Sequence, residues 1–479
     1  MGLSLPLLTA LTAAERDRLS IARGRAEQFV NEEVASLSIA VIHHGRPIWV
    51  EALGWADRKR GLRATPSTPY AIASASKPFT GMALAQLVEA QRIALDAPMQ
   101  SYLKGISIRS RQGGLVTVRQ AAQHRSGIPR HWRNFFAGQD SPPPFSSVAR
   151  DHAFTTGAHG KRYLYSNTNY GLLAAAVEEV TGKPFHNYLE ETIFRPLALT
   201  TAAPLQKHFS KWHAAVPYEA DGNPIPPYLV DEQGARDLLM SASDLARFGL
   251  AHLDGRLGRV TARMIEERAE LNANGVGRAS YGLGWIIEEE SPAALFSYGH
   301  TGEGPGAAAS LTMVPGEKLV VATIANQQGP AAYLLNELIV DAMSTQFAAR
   351  REAHPFQESA ADENALNALD GYWEGQIELP SGLQPVSMIL IRGGASRISL
   401  SQQHAELTNL NVREGVFTGS AALTIPTPSA QRWLHEARML LERSGDYLGG
   451  TLAAYAKRGS VPHDQFWLSY PLRLEKRNP

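Results

Sequence analysis

Ser74-Ala75-Ser76-Lys77 puts a hydroxyl and an amine three residues apart, a spacing that a helix turns onto one face. Ala71-Ile72-Ala73 precedes the tetrad, and Phe79, Met82, Leu84, Leu87 and Val88 follow in an apolar-periodic run. Ser74 is therefore expected at the first turn of a helix, where unbonded N–H groups and the positive dipole end lie. Pro78 suits that turn, because a first-turn residue needs no intrahelical N–H bond. A serine so placed has an amine to receive its proton and backbone donors for a developing oxyanion. The tetrad alone occurs by chance in many chains, and two further elements give it weight. Tyr165-Ser166-Asn167 offers a phenol, whose pKa near ~10 a cation such as Lys77 would lower. It also offers the Asn167 amide, able to hold that lysine or to donate to a substrate carbonyl. His300-Thr301-Gly302 follows a strand-like approach, Leu295–Gly299, and opens the glycine-rich stretch Gly302–Gly306. Missing side chains there let a substrate backbone lie against a strand edge.

The elements that must position these groups are readable from periodicity. A helix is expected over about Thr12–Phe29, then a hairpin of Leu37–Ile42 and Pro47–Ala52 with His43-His44-Gly45-Arg46 at its tip. The paired histidines read as turn residues, not metal ligands, since no third ligand is near in sequence. Mostly helical segments fill about 74–260, and strands return at Gly282–Ile287, Ala308–Val314 and Leu319–Ile324 before a helix at Ala331–Ala349. Strands split between the two ends of a helical region imply an α/β (α+β) sandwich, an antiparallel sheet flanked by helices, and not a βαβ wound sheet. Residues 353–366 read as a linker, with a polar, proline-containing run at Glu352–Glu363. From 367 to 479 the texture changes to short alternating segments: Gly375–Leu379, Val386–Ile391, Arg397–Leu400, Gly415–Thr424, Gly450–Tyr455 and Phe466–Leu474. These predict a small antiparallel β-barrel, with Gly371-Tyr372-Trp373 as core aromatics. Arg432–Arg443 fits helix or strand equally.

Composition narrows the function classes. Lys+Arg and Asp+Glu both total 46 in 479 residues, so no charge excess points to nucleic acid or an anionic membrane. There is no cysteine, which removes disulfides, thiolate catalysis and Cys-based metal sites. No stretch has the length of a membrane span. The apolar-leaning Leu3–Leu11 lacks a basic n-region and is broken by Pro6, so a cytoplasmic protein is expected, with periplasmic or secreted as the alternative if this start acts as a weak signal. Gly302–Gly306 is not a dinucleotide fingerprint, because Pro305 and the strand-like Ala308–Val314 deny it a helix. His124 reads as a turn residue, and Asp244 and Arg247 as a helix start. No cofactor or metal is implied.

Ser-x-x-Lys, Tyr-x-Asn and His-x-Gly in that order resemble the penicillin-recognising serine hydrolases, in the class C β-lactamase-like branch that also holds D-aminopeptidases, D-Ala-D-Ala carboxypeptidases and carboxylesterases. Surrounding text is similar as well, including Gly54-Trp55-Ala56-Asp57, His124-Arg125-Ser126-Gly127-Ile128, Ser243-Asp244-Leu245-Ala246-Arg247-Phe248 and Tyr281-Gly282-Leu283-Gly284-Trp285. The likeness spans about 20–345, so 1–352 is expected to form the hydrolase domain, and the C-terminal texture is similar to the lipocalin-like barrel of some D-aminopeptidase relatives. The resemblance implies Ser74 as the acylated nucleophile, with Lys77 and Tyr165 carrying its proton to the leaving group in an order that sequence leaves open. It implies an oxyanion held by the N–H groups of Ser74 and Glu303, and Asn167, Gly302 and Glu303 as substrate contacts. Two departures shape the substrate expectation. His300 stands where β-lactamases and penicillin-binding enzymes carry lysine, and an imidazole is no permanent cation for a substrate carboxylate. Glu303 stands where a small residue is common, and its carboxylate either attracts a substrate amine or points to solvent. The expected substrate is a small amide or peptide, D-amino-acid-containing as for a D-aminopeptidase. The alternatives are an ester, as for a carboxylesterase, then a β-lactam or D-Ala-D-Ala peptide, or slow acylation by a penicillin-binding sensor. A homo-oligomer stays open.

Overall fold

A computed structural model describes residues 11–477 other than 111–112, 139–140, 158, 209–213, 272–278, 292–293, 345, 348, 350–359 and 457–464. The expected linker falls largely on residues outside that description, though 363–367 form a short helix. Two compact units emerge: residues 1–97, 135–142 and 173–356 in one, and 98–134, 143–172 and 357–479 in the other. Among the described residues no helix is long and apolar enough to cross a membrane.

The first unit is built on a nine-stranded antiparallel sheet. Helix α1 (Ala13–Glu32) starts at a capping box, Thr12 accepting from the Glu15 N–H while the Glu15 carboxylate accepts from Thr12 N–H. Strands β1 (Ser36–His43) and β2 (Arg46–Asp57) form the expected hairpin, with positive φ at His44 and Gly45 in its turn. With β3 (Leu62–Arg63), β4 (Ala269–Glu270), β5 (Ala279–Tyr281), β6 (Ile286–Ser291), β7 (Ala294–Gly304), β8 (Ala307–Val314) and β9 (Leu319–Ala325), the order across the sheet is β3-β2-β1-β9-β8-β7-β6-β5-β4. Leu37, Ile39 and Val41 of β1 and Val321 and Ala325 of β9 bury against α1 and α5 (Ala331–Met343). Helix α4 (Ala242–Leu253) packs on β1, β8 and β9 as well, and its Gly249 lies against Leu311, Met313 and Val320. Covered on both faces, β9 is buried along its whole length, which is why Leu319–Ala325 reads as an unbroken apolar run apart from Thr323.

One expected strand is corrected. Gly282–Ile287 is not continuous: β5 ends at Tyr281, a bend follows, and β6 begins at Ile286. The bend packs flush on helix α2 (Lys77–Glu89), where a Cβ on Gly81 would sit 2.0 Å from the Leu283 carbonyl oxygen. Helix α5 stops at Met343, and of the rest of the helix expected to Ala349 the described residues 346, 347 and 349 are helical again after a break at Ser344. Short strands at Ala203–Pro204 and Leu238–Met240, within the stretch expected to be mainly helical, form a small separate sheet with Tyr70–Ala71 just before it.

In the second unit the C-terminal strands close into an eight-stranded antiparallel barrel. They are β10 (Gly371–Leu379), β11 (Gly382–Leu390), β12 (Arg397–Leu400), β13 (Gln403–Arg413), β14 (Val416–Ala421), β15 (Glu436–Ser444), β16 (Tyr447–Ala456) and β17 (Phe466–Arg477). The ambiguous Arg432–Arg443 is mostly strand, and β13 was not anticipated. Alternate residues such as Trp373, Ile377, Met388, Leu441, Leu452 and Leu472 fill the interior, and the Trp373 indole donates to the Leu369 carbonyl at 2.8 Å. Strand β17 pairs with β16 over residues 466–475 but with β10 only over 472–477. Trp132 takes up the edge left open, exchanging two backbone hydrogen bonds with Trp467 at 3.0 and 3.1 Å.

Candidate active site

Ser74 lies in a 3₁₀ turn, Ala73–Ser76, that runs directly into α2 with Pro78 in its first turn. Ala73 holds φ at +45°, a left-handed conformation that costs a non-glycine residue about 1–2 kcal/mol. Lys77 is completely buried, and its Nζ donates to Ser74 Oγ at 3.1 Å and to the Ala235 carbonyl at 2.9 Å. The loop that supplies Ala235 is fastened along the same helix start. Thr80 Oγ1 donates to the Gly234 carbonyl at 2.6 Å, and Leu238 N–H donates to Ser76 Oγ at 3.2 Å. The Ser74 hydroxyl and the Lys77 amine are thus held from both sides by short-range backbone geometry and a loop some 160 residues away in sequence.

The open edge of β7 meets this turn. Strand β6 pairs with β7 only up to Ile286–Gly299, so residues 300–304 have β8 on one side alone. Gly302 fits against the turn so closely that a Cβ would stand 1.9 Å from the Ile72 carbonyl oxygen and 2.9 Å from Ala75 N. Its own carbonyl accepts from the Tyr333 hydroxyl at 2.7 Å. His300 and Gly302 point inward, whereas Thr301 and Glu303 are exposed, the alternation expected of a strand.

His300 is buried, and its Nε2 accepts from the Tyr281 hydroxyl at 2.9 Å while Nδ1 donates to the Thr301 carbonyl at 2.5 Å, a neutral tautomer assigned from these partners. Burial, then the positive charge of Lys77, push its pKa down to about 3, so it carries no charge at neutral pH. Glu303 accepts from Gln328 Nε2 at 2.7 Å in an exposed setting. Behind Lys77, Glu232 is wholly buried; burial and the neighbouring Asp231 push its carboxyl well above the usual carboxylate range, against the pull of Arg236 and Lys77. Arg236 reaches it at 3.4 Å.

Tyr165 and Asn167 belong to the second unit. Asn167 opens helix α3 (Asn167–Thr181), and its amide donates to the His131 carbonyl at 3.2 Å. Ser166 Oγ donates to the Pro129 carbonyl at 2.8 Å, and Ser166 N–H donates to His124 Nδ1 at 3.2 Å. The His124 ring lies 4.4 Å from that of Tyr165. His124, at φ +56°, is thus a turn residue that also seats the Tyr165 segment.

Of the residues singled out from sequence, Ser74, Lys77, His300 and Gly302 gather around one turn of the first unit, and Glu303 follows them on the open edge. Ser166 and Asn167 fix the Tyr165 turn within the second. Sequence reasoning did not find Ala235, Tyr281 or Glu232. Each acts across more than 15 residues of sequence with no local motif, although Tyr281 stood inside a stretch already recognised as family-like.

The family model described as Beta-lactamase matches residues 22–343. The putative penicillin-binding protein PbpX of Bacillus subtilis (strain 168) is 25% identical over 302 residues, covering 62% of this chain and 72% of its own length. The structure of the octameric penicillin-binding protein homologue from Pyrococcus abyssi superposes with a TM-score of 0.58 at 20% identity, covering 94% of this chain and 99% of that one. A D-stereospecific amidohydrolase from Streptomyces sp. superposes with a TM-score of 0.53 at 21% identity, covering 68% of this chain and 98% of the other.

Proposed function

The chain belongs to the Beta-lactamase family, a family of serine hydrolases, and from that premise we propose that it hydrolyses small amides or peptides, D-amino-acid-containing ones first, through a covalent acyl-enzyme on Ser74. The observation that carries this reading is the 3.1 Å contact between Lys77 Nζ and Ser74 Oγ beside a strand edge that only glycine permits. In the reaction, Ser74 Oγ attacks the substrate carbonyl as its proton passes to the Lys77–Tyr165 pair. The N–H groups of Ser74 and Glu303 hold the oxyanion. Collapse of the tetrahedral intermediate breaks the scissile bond, and the same pair returns the proton to the leaving amine or alcohol. Water then attacks the ester carbonyl, giving up its proton to the pair, which restores the Ser74 hydroxyl. Asn167 and the Gly302 edge align the substrate. Losing one oxyanion donor typically costs about 2.7–4 kcal/mol of barrier, so the strand edge weighs as heavily as the side chains.

The neutral His300 argues against β-lactams as the main substrate, because a buried imidazole with a pKa of about 3 offers no cation at the place where such substrates meet a lysine. The D-stereospecific amidohydrolase among the structural neighbours supports the amide reading. A carboxylesterase would use the same residues, and the panel below separates the two.

The test is a set of D and L amino-acid p-nitroanilides and p-nitrophenyl esters run on wild type, Ser74→Ala and Tyr165→Phe, with intact-protein mass spectrometry for the acyl adduct. The expected outcome is turnover of D-amides, loss of adduct and turnover in Ser74→Ala, and a roughly 10²–10⁴-fold loss in Tyr165→Phe. Turnover of esters alone would favour the carboxylesterase. An adduct that forms and is never released would make the protein an acylated sensor. Undiminished activity of Ser74→Ala would overturn the proposal.

A further inference from the structure

The residues flanking Arg130 tie it to the Tyr165 turn on both sides: Pro129 and His131 give their carbonyls to Ser166 and Asn167. Its own carbonyl accepts from Ser469 Oγ at 2.7 Å, and the next residue, Trp132, forms the two-bond bridge to Trp467 on the open edge of β17. Residues 129–132 are therefore a strap between the barrel and the turn that carries Tyr165. The strap fixes where the Arg130 side chain emerges. Its guanidinium carbon lies 5.8 Å from the Trp132 ring centre, 5.7 Å from Trp467 and 5.9 Å from Tyr165. Ring faces within about 6 Å attract a guanidinium electrostatically without engaging its N–H fork. Arg130 is exposed, and among the described residues no carboxylate pairs with it. The neighbouring Arg438 has the same aromatic setting, over Tyr455 and near Trp467, but is neutralised by Glu436. Arg130 is held like a structural arginine and yet keeps its charge.

We propose that Arg130, fixed between Trp132 of the strap and Trp467 of the barrel, is an anion subsite that binds a carboxylate carried on the leaving-group side of the substrate. This rests on the reading of Tyr165 as the group that serves the leaving group. The preferred substrate is then an amide or ester whose departing amine or alcohol bears a carboxylate, held by two parallel N–H···O bonds from the fork and covered by an indole. The barrel contributes Trp467 and the Ser469 anchor to the setting of Arg130.

Two matched leaving groups test this: D-alanyl p-nitroanilide against D-alanyl 3-carboxy-4-nitroanilide, which differ by the carboxylate. The wild-type preference for the carboxylated substrate in kcat/KM is expected to fall about tenfold or more in Arg130→Gln, to recover in part in Arg130→Lys, and to shrink with added salt. A binding readout independent of turnover uses Ser74→Ala protein and tryptophan fluorescence. Titrated 5-amino-2-nitrobenzoate should quench saturably, its uncharged amide far more weakly, and the difference should vanish when Arg130→Gln is added. A ratio unmoved by Arg130→Gln, or acid and amide quenching alike, overturns the subsite. Hydrolysis that survives Ser74→Ala overturns the catalytic reading instead, and the fluorescence titration still decides the subsite.

Discussion

Lys77 and Arg130 are both cations held in place by their neighbours, and the two regions treat them in opposite ways. Lys77 is sealed: it is completely buried, it donates to Ser74 Oγ and the Ala235 carbonyl, and the titratable groups near it, His300 and Glu232, have their pKa values shifted by loss of water, down for the imidazole and up for the carboxyl. Arg130 is open: its position is set by packing on three rings and its charge faces solvent. A group that must exchange protons with a reacting atom gains from a dry setting, where a small rearrangement changes its pKa by units. A group that only recognises charge gains from permanence and access, which is what guanidinium offers. The same contrast divides the strand β7 itself, where His300 and Gly302 face the sealed side and Glu303 the open one.

The sealed side should tolerate change least. Gly302→Ala would push a methyl into the Ile72 carbonyl and against Ala75 N, both backbone atoms that cannot swing aside. The Ser74 turn or the strand edge must then shift, and either would move the proposed oxyanion donor, the Glu303 N–H, relative to Ser74. A loss of roughly 10²–10³ in kcat/KM is expected, with KM moving less than kcat, because one misplaced donor has that effect on the barrier. Kinetics together with the melting temperature separate this from simple unfolding. Activity within a few-fold of wild type would show that the edge does not approach the turn as closely as drawn.

The second prediction concerns protons held in the sealed unit. His300 and His252 are both buried with pKa pushed down to about 3, and His252 Nδ1 meets only Thr261 Oγ1. A histidine whose folded pKa is depressed binds its proton in the unfolded chain first. The stability it supports is present above pH ~6.5 and is lost as pH falls from there toward the folded pKa, at up to about 1.4 kcal/mol per pH unit for each group. Glu232 has the opposite sign: its raised folded pKa means the folded chain binds the extra proton, so acidification above pH ~4.5 favours the fold. Urea unfolding between pH 7 and 5 should therefore show falling stability, with a shallower slope in His252→Gln and a steeper one in Glu232→Gln. Slopes that do not change in either variant would remove the sealed character from one side of the comparison.

How much of this was open to reading from sequence follows the same divide. The Ser74–Lys77 pair is local, set by helical spacing and Pro78, and so could be read directly. Leu37–Ile42 and Leu319–Ile324 were legible because strands covered on both faces are continuously apolar. Strand β13, by contrast, exposes much of its length and carries few apolar residues, so its alternation is weak, and β15 has a period that helix and strand share. The bend at 282–285 depends on the close approach of Gly81, two hundred residues earlier, and the Arg130 strap depends on Trp467, more than three hundred residues later. Pairings at that separation have no local signature.

The smallest expected effect tests the open side of β7. Glu303 is exposed, with Gln328 on one oxygen and the second available to a ligand ammonium. If it recognises the free amine of a D-aminoacyl substrate, the contact is a solvent-screened ion pair worth about 0.2–1 kcal/mol. Glu303→Gln should then reduce kcat/KM on a D-amino-acid p-nitroanilide by up to about fivefold, and less at high salt, while a neutral p-nitrophenyl ester is affected less. The Gln328 bond survives in that variant in altered form, so the backbone N–H of residue 303 stays where it is and any common effect on both substrates reports the strand. An equal effect on the two would assign Glu303 to solvent, and selectivity for amines would then have to arise on the sealed side, where Asp231 and Glu232 are buried carboxyl groups behind Lys77.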